Sequence, residues 1–201
     1  MKDLEYLLTR HLGAQNYPIN KVPKTCCFHS PLRVLDFDEV VKSFSMNFSL
    51  PRTLCSADCL YLHPSKDLLC FIEMKNISMH LKTTSKKYKL YTNFSQAISK
   101  WFEELHFNLR DKLTDSLYVI TAAAGLYGTH TNTLDKLTNR RKSTIKYALV
   151  AYMKSSDYLT YSLATLDIKN VEHKLLEEPD FTSHLITNEK EFDAFITEHL
   201  C

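Results

Sequence analysis

The sequence predicts an α/β domain with a mixed central sheet and flanking helices, and three stretches carry that expectation. The first, "ADCLYLHPSKDLLCFIEMKN" at residues 57 to 76, is rich in Leu, Tyr, Phe, Ile and Cys. It is broken only by Pro64-Ser65-Lys66-Asp67, the pattern of a β-hairpin with a short polar turn. The second, "NFSQAISKWFEELHFNLRDKL", repeats apolar residues at helical spacing. The third, "SLYVITAAAG" at residues 116 to 125, is an apolar run ending on glycine and reads as a further strand. Strand, helix, strand is the order a parallel crossover requires.

Each element has its own justification. The "DFDEVVKSF" segment opens a helix ahead of the hairpin, with Glu39 near its start. In the hairpin, Leu68-Leu69-Cys70-Phe71-Ile72 is continuously apolar, as expected of a strand buried on both faces. In the second helix Phe94, Ile98, Trp101, Phe102, Leu105 and Leu109 form one face, while Gln96, Lys100, Glu103, Glu104 and Arg110 form the other. Asn93 or Ser95 can cap its start. Beyond residue 125, "STIKYALVAYM" and "YLTYSLATLDI" predict two more strands joined by Lys154-Ser155-Ser156-Asp157, and "NEKEFDAFITEHL" predicts a closing amphipathic helix.

The hairpin also carries ionisable groups where apolar ones would be expected. Asp58 falls near the start of its first strand and Glu73 near the end of its second, so antiparallel pairing would bring the two carboxylates together. Lys75, two residues after Glu73, shares its face by strand alternation. Two facing carboxylates repel unless a cation lies between them, and hard oxygen donors suit Mg²⁺ or Mn²⁺ better than zinc. A lysine beside them could orient water or neutralise charge developing on a phosphate. The plainer reading of the same residues is a solvated face with a cross-strand ion pair.

Asp58, fourteen intervening residues and then "IEMKN" resemble the Asp and Glu-x-Lys signature of the PD-(D/E)xK nuclease superfamily, with Ala57 where that family usually has proline. The resemblance covers roughly residues 36 to 125. It implies a restriction-endonuclease-like αβββαβ core: a helix, a three-stranded antiparallel meander, a second helix, and a fourth strand returning parallel beside the strand that carries Glu-x-Lys. Residues 126 to 201 would then be a C-terminal extension of strands and a helix on a single nuclease-like domain spanning 1 to 201. The implied activity is metal-dependent hydrolysis of phosphodiester bonds in DNA or RNA. Asp58, Glu73 and the backbone carbonyl of Met74 would bind Mg²⁺ or Mn²⁺, and Lys75 would position or help deprotonate the attacking water. The family often adds a glutamate from the first helix, for which Glu39 is the candidate and Glu5 the competitor, and a polar residue from the second, for which Gln96 is the candidate. Some RNA-cleaving relatives use an upstream histidine, and His29 stands in a suitable place.

Composition bounds these expectations. The chain has 201 residues, 44% of them hydrophobic, enough for one domain with a sizeable core. With three glycines and neither GxxxxGK[ST] nor GxGxxG, a nucleotide-cradling loop is not expected. No run of eighteen apolar residues occurs, and "MKDLEYLLTRHLG" is charged where a secretory signal would be apolar, so an intracellular protein of cytoplasm or nucleus, with no membrane partner, is the expectation. The six cysteines lack CxxC spacing and read as free thiols; a zinc site from Cys55, Cys59 and His63 would need side chains that a strand splays apart.

Net charge is +2, but residues 172 to 201 hold eight acids against two bases, −6, which leaves +8 for the rest. Lys82, Lys86, Lys87 and Lys89, interleaved with Tyr88 and Tyr91, form one basic cluster; Lys136, Arg140, Arg141, Lys142 and Lys146 form another. Both flank the second helix and could neutralise phosphates of a nucleic-acid partner. A homodimer would suit cleavage of two strands, and a protein partner could supply specificity. The alternative function is a nuclease-like frame that binds nucleic acid or scaffolds an assembly without catalysis.

Overall fold

The computed structural model describes residues 2–21, 30, 32–52, 54–76, 94–127, 144–152, 182–186 and 189–201. They form a mixed α/β arrangement. Helix α1 (Lys2–Leu12) leads into strand β1 (Asn16–Pro18), a short 3-10 turn (Ile19–Lys21) and strand β2 (Arg33–Asp36). Helix α2 (Phe37–Asn47), strands β3 (Cys59–Leu62) and β4 (Leu68–Asn76), helix α3 (Phe94–Tyr127), strands β5 (Thr144–Tyr152) and β6 (Thr182–Ile186), and helix α4 (Glu189–Phe195) with a π turn (Ile196–Leu200) follow. The six strands lie in one sheet in chain order. Strands β1 to β4 pair antiparallel with their neighbours, whereas β4 with β5 and β5 with β6 pair parallel.

Alternation along the strands sorts the core into two layers. Leu35, Leu60, Leu69 and Phe71 face α1, α2 and the C-terminal half of α3, where Leu8, Phe44, Val119, Ile120 and Ala123 are buried. Val34, Cys59, Cys70, Ile72 and Met74 face the opposite way, against Phe192, Phe195 and Leu200 of the closing helix. Helix α1 ends at Gly13, whose φ of 66° is the left-handed conformation that glycine adopts without strain. Helix α2 begins immediately after β2 because Asp36 caps it, its side chain accepting the N–H of Glu39 at 3.3 Å.

The hairpin at residues 57 to 76 is present, with Cys59 opposite Ile72 and Leu62 opposite Leu69. Its turn is organised by His63, whose Nδ1 accepts the N–H groups of Ser65 at 3.0 Å and Lys66 at 2.8 Å. That bond pattern requires a neutral ring nitrogen. Burial, reinforced by the nearby Lys66 charge, holds the imidazole below its ordinary value. Near pH 6.5 the unfolded chain therefore binds more proton on His63 than the folded chain does. Stability is expected to fall as pH drops from neutrality through the unfolded value, and to level off below the folded one. Chemical denaturation at pH 7.5 and 5.5, beside a His63→Asn protein that keeps an acceptor but no titrating ring, should show a smaller pH slope in the variant. An unchanged slope would remove His63 from this role.

Two expectations are corrected. Residues 116 to 125 are helical and continue α3, which runs unbroken for 34 residues. No glycine or proline interrupts residues 94 to 124, three consecutive alanines favour helix, and Leu113, Ser116, Val119, Ile120 and Ala123 extend the 3.6-residue period that buries this face. Val119 and Ile120 gave the segment its strand-like look. The strand parallel to β4 is instead β5, so the sheet around the hairpin extends to residue 152 and is not closed by residue 125. The helix "DFDEVVKSF" also sits between β2 and β3 rather than ahead of all the antiparallel strands. The closing helix is found where expected, while the expected strand "YLTYSLATLDI" lies outside the described residues.

Candidate metal centre

Asp58 immediately precedes β3, and the pairing of Cys59 with Ile72, carried on by one residue, brings it beside Glu73 of β4. Three elements hold it there. Its backbone carbonyl accepts the N–H of Phe37 at the start of α2, at 3.1 Å. Its side-chain Oδ2 accepts the N–H of Met74 at 2.7 Å. The chain leading to it is fastened to α3: Cys55 N–H donates to Asp115 Oδ2 at 2.9 Å and Ala57 N–H to Ser116 Oγ at 3.1 Å. Arg52 completes the fastening with a two-pronged ion pair to Asp115 at 2.9 and 2.5 Å.

Glu73 follows Leu69 and Phe71 on the face toward α3 and is 0% exposed, against 8% for Asp58. A carboxylate so deep is costly without a partner. Lys112, just past the midpoint of α3, supplies one: its Nζ lies 2.8 and 3.0 Å from the two Glu73 oxygens, and its side chain is 18% exposed. In an extended strand a residue's N–H and C=O point to the same edge. The Met74 N–H reaches Asp58, so the Met74 carbonyl is directed to that same edge, just past the end of β3.

The local field is negative. Burial pushes the Cys59 thiol well up, and Asp58, Asp36, Glu73 and Asp38 add to the effect. Burial also raises Asp36, against the lowering effect of the Glu39 N–H bond. Four carboxylates thus gather around one end of β3 with the ammonium of Lys112 beside one of them. Among the described residues, no three His, Cys, Asp or Glu side chains converge closely enough to form a metal site by themselves. The oxygen donors that the hairpin register sets at this end of β3 are Asp58, Glu73 and the Met74 carbonyl.

The other sequence candidates are placed differently. Glu39 is on the first turn of α2 with its side chain 56% exposed, paired with Lys42 at 2.5 Å. The acid of that turn that leans toward the site is its neighbour Asp38, half-buried and accepting the hydroxyl of Ser56, two residues before Asp58. Glu5 accepts the Asn16 side-chain amide at 2.8 Å on the outer edge of the fold. Lys75 and Gln96 are placed as backbone, Lys75 paired with Ala151 in the sheet and Gln96 in the first turn of α3; their side chains lie outside the description. Sixteen residues, about 24 Å of helix, separate Gln96 from Lys112, so α3 reaches Glu73 through Lys112. His29, Cys26, Cys27 and both basic clusters, except the Lys146 backbone in β5, also lie outside the described residues. Cys55, Cys59, Cys70 and Cys201 are free thiols.

Lys112 was within the helix recognised from sequence, and one signal pointed to it. It interrupts the apolar stripe at the turn after Leu109, and Asp115 and Ser116 do the same at the next turn. Polar residues on a buried stripe ask for partners, and here the partners are Glu73, Arg52 and the backbone approaching Asp58.

No protein-family model matches the chain, and no curated protein and no solved structure matches it. Among the described residues no helix is long and apolar enough to cross a membrane.

Proposed function

We propose that the chain is a metal-dependent nuclease built on a restriction-endonuclease-like core, hydrolysing phosphodiester bonds of DNA or RNA. The observation that carries this reading is the placement of Asp58, immediately before β3, beside Glu73 of β4, with the Asp58 side chain accepting the Met74 N–H at 2.7 Å. The parallel placement of β5 beside β4 after a helix supports the same core.

The donor set suits a hard divalent cation: two carboxylates and a carbonyl edge in a field dominated by acids, with neither thiolate nor imidazole among them. Asp58, Glu73 and the Met74 carbonyl would hold Mg²⁺ or Mn²⁺, which when bound supplies Lewis acidity and a more acidic water. The protein's own groups would do the rest. The bond from Met74 N–H to one Asp58 oxygen fixes the orientation of the carboxylate. Lys75 would orient the attacking water and balance charge on the phosphate as the P–O bond to the leaving oxygen breaks. Lys112 supplies a counter-charge to both Glu73 oxygens at 2.8 and 3.0 Å. The basic clusters at residues 82 to 89 and 136 to 146 would supply charge for the phosphate backbone.

The test is incubation of purified protein with labelled single- and double-stranded DNA and RNA, in Mn²⁺, in Mg²⁺ and in chelator, beside Asp58→Ala and Lys75→Ala. The expected result is metal-dependent cleavage lost in both variants. A second reading, a non-catalytic nucleic-acid-binding or scaffolding protein, is favoured by the Lys112–Glu73 pair, which satisfies Glu73 without metal. It predicts no cleavage of any substrate and no Mn²⁺ heat by calorimetry, and that combination would sink the enzyme reading.

A further inference from the structure

We infer that Lys112 is a resident counter-ion that competes with the divalent cation for Glu73, so that this one residue of α3 sets the metal affinity of the centre. The inference rests on the metal-site reading above and deepens it. Its basis is geometric. The Lys112 ammonium is within hydrogen-bond distance of both Glu73 oxygens, 2.8 and 3.0 Å, the position of a cation shared by the two. Glu73 is fully buried, so water cannot stand in for a departing ammonium from the carboxylate side. Lys112 itself is 18% exposed, on a four-carbon stem with several rotatable bonds. It therefore has an exit toward solvent that Glu73 lacks.

The surrounding bonds make the exchange local. Helix α3 is fastened one turn further on by Asp115 to Arg52 and the Cys55 N–H, and by Ser116 to the Ala57 N–H. The backbone carrying Lys112 is thus fixed, and only its side chain needs to move. A divalent cation at Asp58 and Glu73 would meet an ammonium of like sign a few ångströms away, and the two cannot share the same carboxylate oxygens at full strength. Lys112 would hold the empty centre assembled, and yield when the stronger cation arrives. Removing its charge should tighten metal binding and weaken the metal-free fold, two effects of opposite sign from one residue.

The experiment is calorimetric titration of Mn²⁺ into the unaltered protein, Lys112→Met, Lys112→Gln and Lys112→Arg, with thermal melts of each in chelator and in saturating Mn²⁺. Lys112→Gln keeps an amide donor to Glu73 and guards against loss of folding in the Met protein. The expected result is a Kd for Mn²⁺ lowered roughly tenfold in Lys112→Met and Lys112→Gln, and unchanged or raised in Lys112→Arg. The melting temperature in chelator should fall for Met and Gln, and Mn²⁺ should raise it by more than in the unaltered protein. Heat in Lys112→Met where the unaltered protein gives none would also support competition. If the unaltered protein binds Mn²⁺ and the Met and Gln proteins bind it equally or more weakly, Lys112 is a structural counter-ion only and the inference fails while the site stands. If none of the four binds Mn²⁺, the metal-site reading fails and the inference with it.

Discussion

Glu73→Gln should lower the proposed phosphodiester cleavage by at least about a hundredfold, while leaving a folded protein. The substitution is nearly isosteric, so the apolar layer formed by Phe71 and its neighbours keeps its shape. What changes is charge. The Lys112 ammonium, now 2.8 and 3.0 Å from a neutral amide in place of a carboxylate, loses its counter-ion but retains access to solvent. The loss of stability is expected to be about 1–3 kcal/mol, below the figure for a fully buried pair whose surviving partner has no water. Single-turnover cleavage and a denaturation curve on the same preparation separate the two effects. Cleavage within a few-fold of the unaltered protein would remove Glu73 from the mechanism. Loss of cleavage together with an unfolded protein would show instead that the pair is chiefly structural.

Phe71→Ala should give the largest loss of stability, about 4 kcal/mol. Phe71 is fully buried at the centre of β4 and meets Phe37 edge-on, the ring centroids 5.6 Å apart at 63°. It is paired with Leu60 on one side and Tyr147 on the other. Truncation leaves a cavity between the sheet and the helices that no neighbour can fill without moving a strand, and it removes an aromatic contact worth about 1 kcal/mol. For a domain with a typical stability of about 5–15 kcal/mol, this is a large share. Urea denaturation is the measurement, with Met46→Ala, exposed at 73%, as a control expected to change stability by less than about 0.5 kcal/mol. A Phe71→Ala loss below about 1 kcal/mol would mean that β4 is not packed under α2 in this way.

The hairpin and its carboxylates were legible in the sequence because every signal there is local. An apolar run, a Pro-Ser-Lys-Asp turn and strand alternation suffice to set Asp58 against Glu73. The end of α3 was not legible, since Val119 and Ile120 imitate a strand over ten residues and only the longer period through Leu113, Ser116 and Ala123 reveals the helix. Read as a strand, residues 116 to 125 take Ser116 off the helical stripe and end the helix before Asp115, and with that the fastening of Asp58 is hidden. The 144–152 strand was recognised as a strand, but which strand it pairs with is a tertiary fact. Strands β1, β2 and β6, of three, four and five residues, are too short to carry a period of their own. Glu39 was chosen from its helix-opening position; whether it or Asp38 turns inward depends on where Ser56 lies, which no local pattern specifies.

Lys112, Asp115 and Ser116 occupy one stripe of α3, and all their partners belong to β4 or to the segment entering β3. A helix advances about 100° per residue. Inserting or deleting a single residue between 112 and 115 would therefore point either the ammonium or the anchor for Asp58 toward solvent, whichever lay on the far side of the change. The spacing of those residues behaves like the teeth of a key. Their phase around the helix axis is what the centre depends on, so this short span should be intolerant of length change even where its individual exposed residues, such as Thr114, can be exchanged freely.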